Sequence, residues 1–221
     1  RQAVLVHAEA AVVVREIRLL RLVGDDPRHR LAAVHPHGLV ELGVRRPRHV
    51  PQVVASHLPR GVRQAVRELG AWIGAAGHTL VYGGSKTGLM GLLAQSALAQ
   101  GGSVIGVEPE CFMAQELQYD GLTQLIVTRS MAERKNRMIQ LGDAFIAFPG
   151  GTGTLEEITE VMSQVSLGQL SAPCILYDLD GYYCHLKALR DHMIASGLSS
   201  PERQRGIHFA QNLPEIQVLL S

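Results

Sequence analysis

Two glycine-rich stretches and a few charged residues near them could act on a phosphorylated ligand. Pro149-Gly150-Gly151-Thr152-Gly153-Thr154 follows the apolar run Ala144-Phe145-Ile146-Ala147-Phe148 and opens a helical pattern. Glycines let a backbone pass close to a bound group and take up positive φ. A helix that begins there presents free amide N–H groups and the positive end of its dipole, and both attract phosphate. The Thr154 hydroxyl adds a donor. The turn is not a dinucleotide fingerprint, because Gly-x-Gly-x-x-Gly is absent, nor a Walker loop, because no Gly-Lys-Ser/Thr follows. A tight strand-to-helix turn without a ligand has a similar appearance. Glu157 comes at the start of the same helix. A carboxylate beside a bound anion is unfavourable unless it orients water or stabilises a developing cation. As an ordinary first-turn acid it would only complement the dipole. Arg134 and Lys135 lie on the preceding helical pattern, where an Arg can clamp a phosphate or carboxylate at two points. A solvated helical face looks the same. Tyr82-Gly83-Gly84, leading into Gly88-Leu89-Met90-Gly91, is a second strand–glycine–helix element, and two such elements in one sheet suggest a shared crevice.

The elements that must position these residues are regular from residue 61 onward. Ala65, Leu69, Trp72, Ile73 and Ala76 fall on one helical face before Gly77. Thr79–Tyr82, Ser103–Val107, Leu122–Thr128, Asp143–Phe148, Cys174–Tyr177 and Ile207–Phe209 read as short buried strands. Helical patterns separate them: about Leu89–Gln100, a helix opened by the capping-box spacing Ser130-Met131-Ala132-Glu133, about Thr154–Leu167, Tyr182–Ala195, and a last one after Asn212. The Thr154 helix carries Leu155, Ile158, Met162 and Val165 as its apolar stripe. Alternating strands and helices predict an α/β fold, a doubly wound parallel sheet in a Rossmann-like three-layer sandwich. Ligands in such sheets bind beyond the carboxyl ends of the strands, where both glycine turns stand.

Together these motifs resemble the LONELY GUY family. The resemblance rests on Tyr82-Gly-Gly…Gly88-Leu-Met-Gly91, Ser130-Met-Ala-Glu-Arg134-Lys135 and Pro149-Gly-Gly-Thr-Gly-Thr-Leu-Glu-Glu157, in order and spacing, and covers residues 61–221. Family members are cytokinin riboside 5′-monophosphate phosphoribohydrolases, often mislabelled lysine decarboxylases. The resemblance implies hydrolysis of the N-glycosidic bond of an adenosine 5′-monophosphate, with or without a cytokinin-type N6 group, to free base and ribose 5-phosphate. It implies Arg134 and Glu157 as catalytic residues. Gly151, Thr152, Gly153 and Thr154 would hold the phosphate, and Gly150, Gly83, Gly84, Lys135, Glu116 and Ser163 would contact the ligand. Ser163 stands where plant members usually have Thr. A homodimer is implied, and the scheme needs no metal and no cofactor. The alternative is a non-catalytic nucleotide or cofactor-carrier module of the same fold, which does not require the Arg134–Glu157 pair. A pyridoxal-phosphate decarboxylase would need a Schiff-base lysine, and Lys86, Lys135 and Lys187, the three lysines of the chain, stand in no motif for one.

Residues 1–60 read differently. They hold six histidines, many arginines and no lysine, and no confident fold follows from them. Family members open with a strand and a Cys-Gly-Ser-Ser-like loop about where Arg45 to Gln52 stand here. Arg46-Pro47-Arg48 and Pro51 are poor material for a central strand. The chain therefore divides into an atypical N-terminal segment, 1–60, and a catalytic domain, 61–221. A net charge of +1 gives no reason to expect a nucleic-acid or membrane partner. Cys111, Cys174 and Cys184 are too few and too scattered for a disulfide framework or a zinc site, so a cytoplasmic protein is expected.

Overall fold

The computed structural model describes residues 3–7, 12–15, 58–113 and 119–221, all within one compact unit. Two strands come from the front of the chain, β1 (Ala3–His7) and β2 (Val12–Arg15). After them come α1 (Arg60–Ala75), β3 (Thr79–Tyr82), α2 (Gly88–Ala99), β4 (Ser103–Pro109), the short α3 (Glu110–Met113) and β5 (Gln124–Thr128). The second half is α4 (Met131–Leu141), β6 (Ala144–Ala147), α5 (Thr152–Ser166), β7 (Cys174–Tyr177), α6 (Cys184–Ala195), β8 (Ile207–Ala210) and α7 (Leu213–Leu219). The architecture is the expected α/β sandwich.

The eight strands form one sheet in the order β5-β4-β3-β1-β2-β6-β7-β8, with further pairings of β2 to β3 and of β1 to β6. Chain direction is parallel throughout the described sheet except at β2, which runs antiparallel to β1, β3 and β6. From β3 the chain steps outward to β4 and β5; from β6 it steps the other way to β7 and β8. Right-handed crossovers then place α2 on one face and α5 and α6 on the other. The reversal lies between β3 and β6, which both run parallel to β1, so Gly83-Gly84 and Gly150 leave the sheet at the same edge. Ligands of doubly wound sheets bind at such a reversal.

Residues 1–60 show where pattern reading had no purchase. The apolar runs of β1 and β2 lack turn signals around them. Their strand state is set by pairing: β1 with β6 from Val4↔Ala144 to His7↔Ala147, and β2 with β3 from Val13↔Val81 to Arg15↔Thr79. The stretch Arg45–Gln52 lies outside the described residues.

Local sequence explains the helix limits. At the end of α1, Gly77 has φ 72°, its N–H bonds Gly74 O, and the His78 N–H bonds Ile73 O. This is a Schellman stop, and it needs a residue that tolerates positive φ. Leu69 and Ile73 are buried as expected, but Trp72 is only partly buried and Ala76 is exposed, so the stripe is narrower than its sequence pattern. Ser130 caps α4 by accepting from the Glu133 N–H, and the Glu133 carboxylate accepts in turn from the Arg129 N–H. Asn212 caps α7 by accepting from the Glu215 N–H. The core lies where these helices meet the central strands, with Leu80, Tyr82, Leu93, Phe145 and Ile146 inaccessible to solvent.

Helices α1 and α2 approach closely because α1 carries glycine at the contact. A Cβ on Gly74 would stand 2.3 Å from the Ala97 carbonyl oxygen and 2.9 Å from Gln100 Cβ. Gly74→Ala should therefore destabilise the fold by about 1–3 kcal/mol, as overpacking does. Gly61, exposed on the same helix with nothing near its Cβ position, makes the control. Gly61→Ala should stabilise by about 0.5 kcal/mol through helix propensity. Urea unfolding of both variants checks the contrast.

Candidate functional site

The edge that carries both glycine turns is organised around a buried ion pair. Arg134, in the first turns of α4, donates from Nη1 to Glu157 Oε1 at 2.6 Å and from Nε to the Val107 carbonyl in the second half of β4 at 2.9 Å. Arg134 is 5% and Glu157 8% exposed. At that burial an unpaired charge would be strongly destabilising, so each residue holds the other in place. Gly83 makes room for the guanidinium: a Cβ there would stand 2.3 Å from Arg134 Nη2. Burial pushes the Glu157 carboxyl up to about 7, against the charge and hydrogen bond of Arg134, which pull it down. A carboxyl of that kind can change protonation state near neutral pH.

The glycine turn stands directly ahead of this pair. Gly151 is the N-cap of α5, and the amides of Thr152, Gly153 and Thr154 form its first turn, without acceptors inside the helix. Gly151, Thr152 and Gly153 are exposed, whereas Thr154 is fully buried. The Thr154 hydroxyl has no hydrogen-bond partner among the described residues and lies against Gly150, whose Cβ would come within 2.2 Å of it.

The apolar stripe expected on α5 is corrected at one end. Leu155 is 44% exposed, and the inward positions are Thr154, Glu157, Ile158 and Val161. The helix is turned so that two polar residues of its first half face the protein. Burial of the Glu157–Arg134 pair takes precedence over burial of Leu155.

The other expected site residues are placed unevenly. Lys135 spans from α4 to α5, paired with Glu156 and, at 2.9 Å, with Glu160. Ser163 is exposed on α5, six residues beyond Glu157 and therefore about 9 Å further along the axis. Glu116 lies outside the described residues. Gly84, with φ 88°, turns the chain after β3 and sits beside Glu108.

Sequence reasoning missed two supports of the turn. Tyr183 donates to the Phe148 carbonyl at 2.8 Å, and Tyr182 donates to the Gly150 carbonyl at 2.5 Å. Asp178 holds this segment by accepting from the Tyr183 N–H at 2.6 Å. The available signal was Asp178-Leu-Asp-Gly-Tyr-Tyr183, which follows β7 at the same sheet edge. Glu108 was also missed, although a charge at the end of the apolar run Val104–Val107 marks it.

A family model described as "possible lysine decarboxylase" matches residues 90–219. A cytokinin riboside 5′-monophosphate phosphoribohydrolase of Rhodococcoides fascians is 45% identical over 139 residues, 62% of this chain and 70% of that protein. A probable enzyme of the same name from Oryza sativa subsp. japonica is 40% identical over 157 residues, 71% of this chain and 69% of that one. The chain belongs to the LONELY GUY family. Among solved structures, the molybdenum cofactor carrier protein of Chlamydomonas reinhardtii superposes with a TM-score of 0.55 at 21% identity, covering 75% of this chain and 91% of that chain. A molybdenum cofactor binding protein of Rippkaea orientalis gives 0.54 at 21% identity, covering 73% and 87%. At that identity the likeness shows the fold.

For this LONELY GUY member the decarboxylase description has no chemical footing. A Schiff-base lysine must lose its proton readily, which takes burial without a counter-charge. Lys86 and Lys187 are exposed, and hydrogen bonds from Lys135 to Glu156 and then Glu160 raise its pKa. No helix among the described residues is long and apolar enough to cross a membrane.

The tyrosine supports have separable effects. Tyr183→Phe leaves the buried Phe148 carbonyl without that donor and should cost about 1–3 kcal/mol in stability. Tyr182 is 53% exposed, so Tyr182→Phe should cost no more than about 1 kcal/mol. Thermal unfolding of the two variants checks the order.

Proposed function

We propose that this protein hydrolyses the N-glycosidic bond of an adenine-type nucleoside 5′-monophosphate, releasing the free base and ribose 5-phosphate. The observation that carries this reading is the Arg134–Glu157 pair, buried behind a glycine-rich helix N-terminus whose first-turn amides have no acceptor inside the helix. The names of the relatives support the same chemistry. A cofactor carrier would need the helix N-terminus and not the pair.

The phosphate binds the amides of Thr152 to Thr154 with the Thr154 hydroxyl, and Gly150 and Gly151 let it approach. Glycosidic cleavage passes through an oxocarbenium-like transition state. Glu157 stabilises that cation or orients the attacking water, and Arg134 fixes the carboxylate and balances its charge. Binding energy from the remote phosphate holds the ribose in its reactive pose. Gly83 and Gly84 form the opposite wall, and Glu116, Lys135 and Ser163 complete the set of ligand contacts. No metal or cofactor takes part. Residues 61–221 carry the catalysis. We read the protein as a cytoplasmic homodimer, supported by three free thiols and by the family resemblance, and sedimentation checks the assembly.

Incubation with AMP and N6-isopentenyl AMP, with free base measured by chromatography, should show release from at least one. Glu157→Gln should keep most nucleotide affinity in calorimetry and lower base release by on the order of 100-fold or more, because the amide carries no charge. Full turnover by this variant would remove Glu157 from the mechanism. Arg134→Ala should weaken binding and turnover together.

The pH dependence has a definite sign. Glu157 works as the carboxylate, and its folded pKa stands at about 7, so base release should fall as pH drops through 7 toward 5. The measurement is kcat against pH at saturating nucleotide.

A further inference from the structure

Glu108 is a second buried carboxyl at this edge, and nothing above uses it. It is the sixth residue of β4, directly after Val107, whose carbonyl accepts from Arg134. Its side chain lies on the same face of the strand as Gly106 and packs against Gly84: a Cβ on Gly84 would stand 3.2 Å from Glu108 Cγ and 3.3 Å from Cδ. The residue is 3% exposed, and Oε2 has no hydrogen-bond partner among the described residues. Its carboxyl also feels the Arg134 charge and acts on the Tyr82 hydroxyl.

A carboxylate oxygen in such a place is expensive as structure. Buried polar atoms are almost always hydrogen-bonded, and an unsatisfied one costs about 1–3 kcal/mol. An apolar side chain at the end of β4 would avoid that cost. Arg134 eases it through its charge but gives Oε2 no hydrogen bond, its Nη1 being bonded to Glu157 and its Nε to the Val107 carbonyl. The position, in contrast, suits a ligand group. Glu108 stands near the carboxyl end of β4, beside the glycine turn after β3, on the edge where α5 presents its first-turn amides.

We propose that Glu108 is a further ligand-binding residue, whose Oε2 accepts a hydrogen bond from a hydroxyl or amino hydrogen of the nucleotide beyond its phosphate. The assignment rests on the nucleotide reading of the site. The phosphate is held at the first turn of α5, Glu157 is three residues further along that helix, and Arg134 separates Glu157 from β4. Glu108 therefore meets the part of the ligand away from the phosphate. The donors there are the ribose hydroxyls and the amino group of the base. A site built to hydrogen-bond such a donor discriminates strongly against analogues that lack it.

The test is calorimetry of the full chain with AMP, with ribose 5-phosphate and with purine riboside 5′-monophosphate, which lacks the amino group. Glu108→Leu should weaken AMP binding at least about tenfold, the loss of one charge-assisted hydrogen bond. Glu108→Gln keeps an acceptor oxygen and should lose less. If the donor is a ribose hydroxyl, ribose 5-phosphate weakens by the same factor in Glu108→Leu. If it is the base amino group, ribose 5-phosphate is unaffected, and purine riboside 5′-monophosphate binds the parent protein and Glu108→Leu alike. AMP affinity within twofold of the parent in both variants overturns the assignment, and a lowered Tm with that unchanged affinity makes Glu108 a structural group. Should Glu108→Leu not fold, Glu108→Ala, which also removes the acceptor, takes its place, and AMP affinity within twofold of the parent in that variant overturns the assignment. Failure of the parent to bind AMP overturns the nucleotide reading itself, and this assignment with it.

Discussion

A guanidinium and a carboxylate held 2.6 Å apart behind the first turn of α5 constrain most of their surroundings. Either charge alone would be costly to remove from water, and breaking such a pair is typically worse than never having built it. The pair therefore dictates its neighbours. Gly83 has no side chain because the guanidinium occupies that space, and the Val107 carbonyl takes up the Nε proton. The first half of α5 turns Thr154 and Glu157 inward and leaves Leu155 in solvent. A helix chosen for stability alone would bury the leucine.

The sheet reversal brings these parts together. Arg134 follows β5 on the outer left of the sheet order, Val107 lies in the second half of β4, Gly83 follows β3, and Glu157 follows β6 on the other side of the reversal. Four separate stretches of chain meet at one edge because the parallel strands all deliver their carboxyl ends there. The tyrosines after β7 add a fifth, fixing the Phe148 and Gly150 carbonyls from behind. A glycine turn braced through its carbonyls is held in one conformation, the preorganisation that anion binding uses.

Burial also sets the proton chemistry. Glu157 is lifted to about 7 chiefly by desolvation, with Arg134 acting in the other direction. Glu108 is raised by the same cause and eased by the same arginine. Two buried carboxyls thus share one cation at this edge, and only one of them has it as a hydrogen-bond partner. The asymmetry is what distinguishes their chemistry.

Local signals in the sequence determined much of this protein. Strand runs such as Thr79–Tyr82 and Cys174–Tyr177 match the observed elements, because a short apolar run between turn signals has few other ways to hide its side chains. Caps at Ser130 and Asn212 and the stop at Gly77 act within a few residues, so they too were legible. The motifs identified Arg134, Glu157 and the glycine turn as residue types suited to the chemistry. Tertiary structure alone decided the rest. The strand state of β1 and β2 depends on partners far along the chain, since runs of three or four apolar residues have no intrinsic preference strong enough to settle it. The facing of α5, the bracing by Tyr182 and Tyr183 and the burial of Glu108 depend on which side chains share a buried space. That is a property of the packed sheet edge, and no spacing along the chain encodes it.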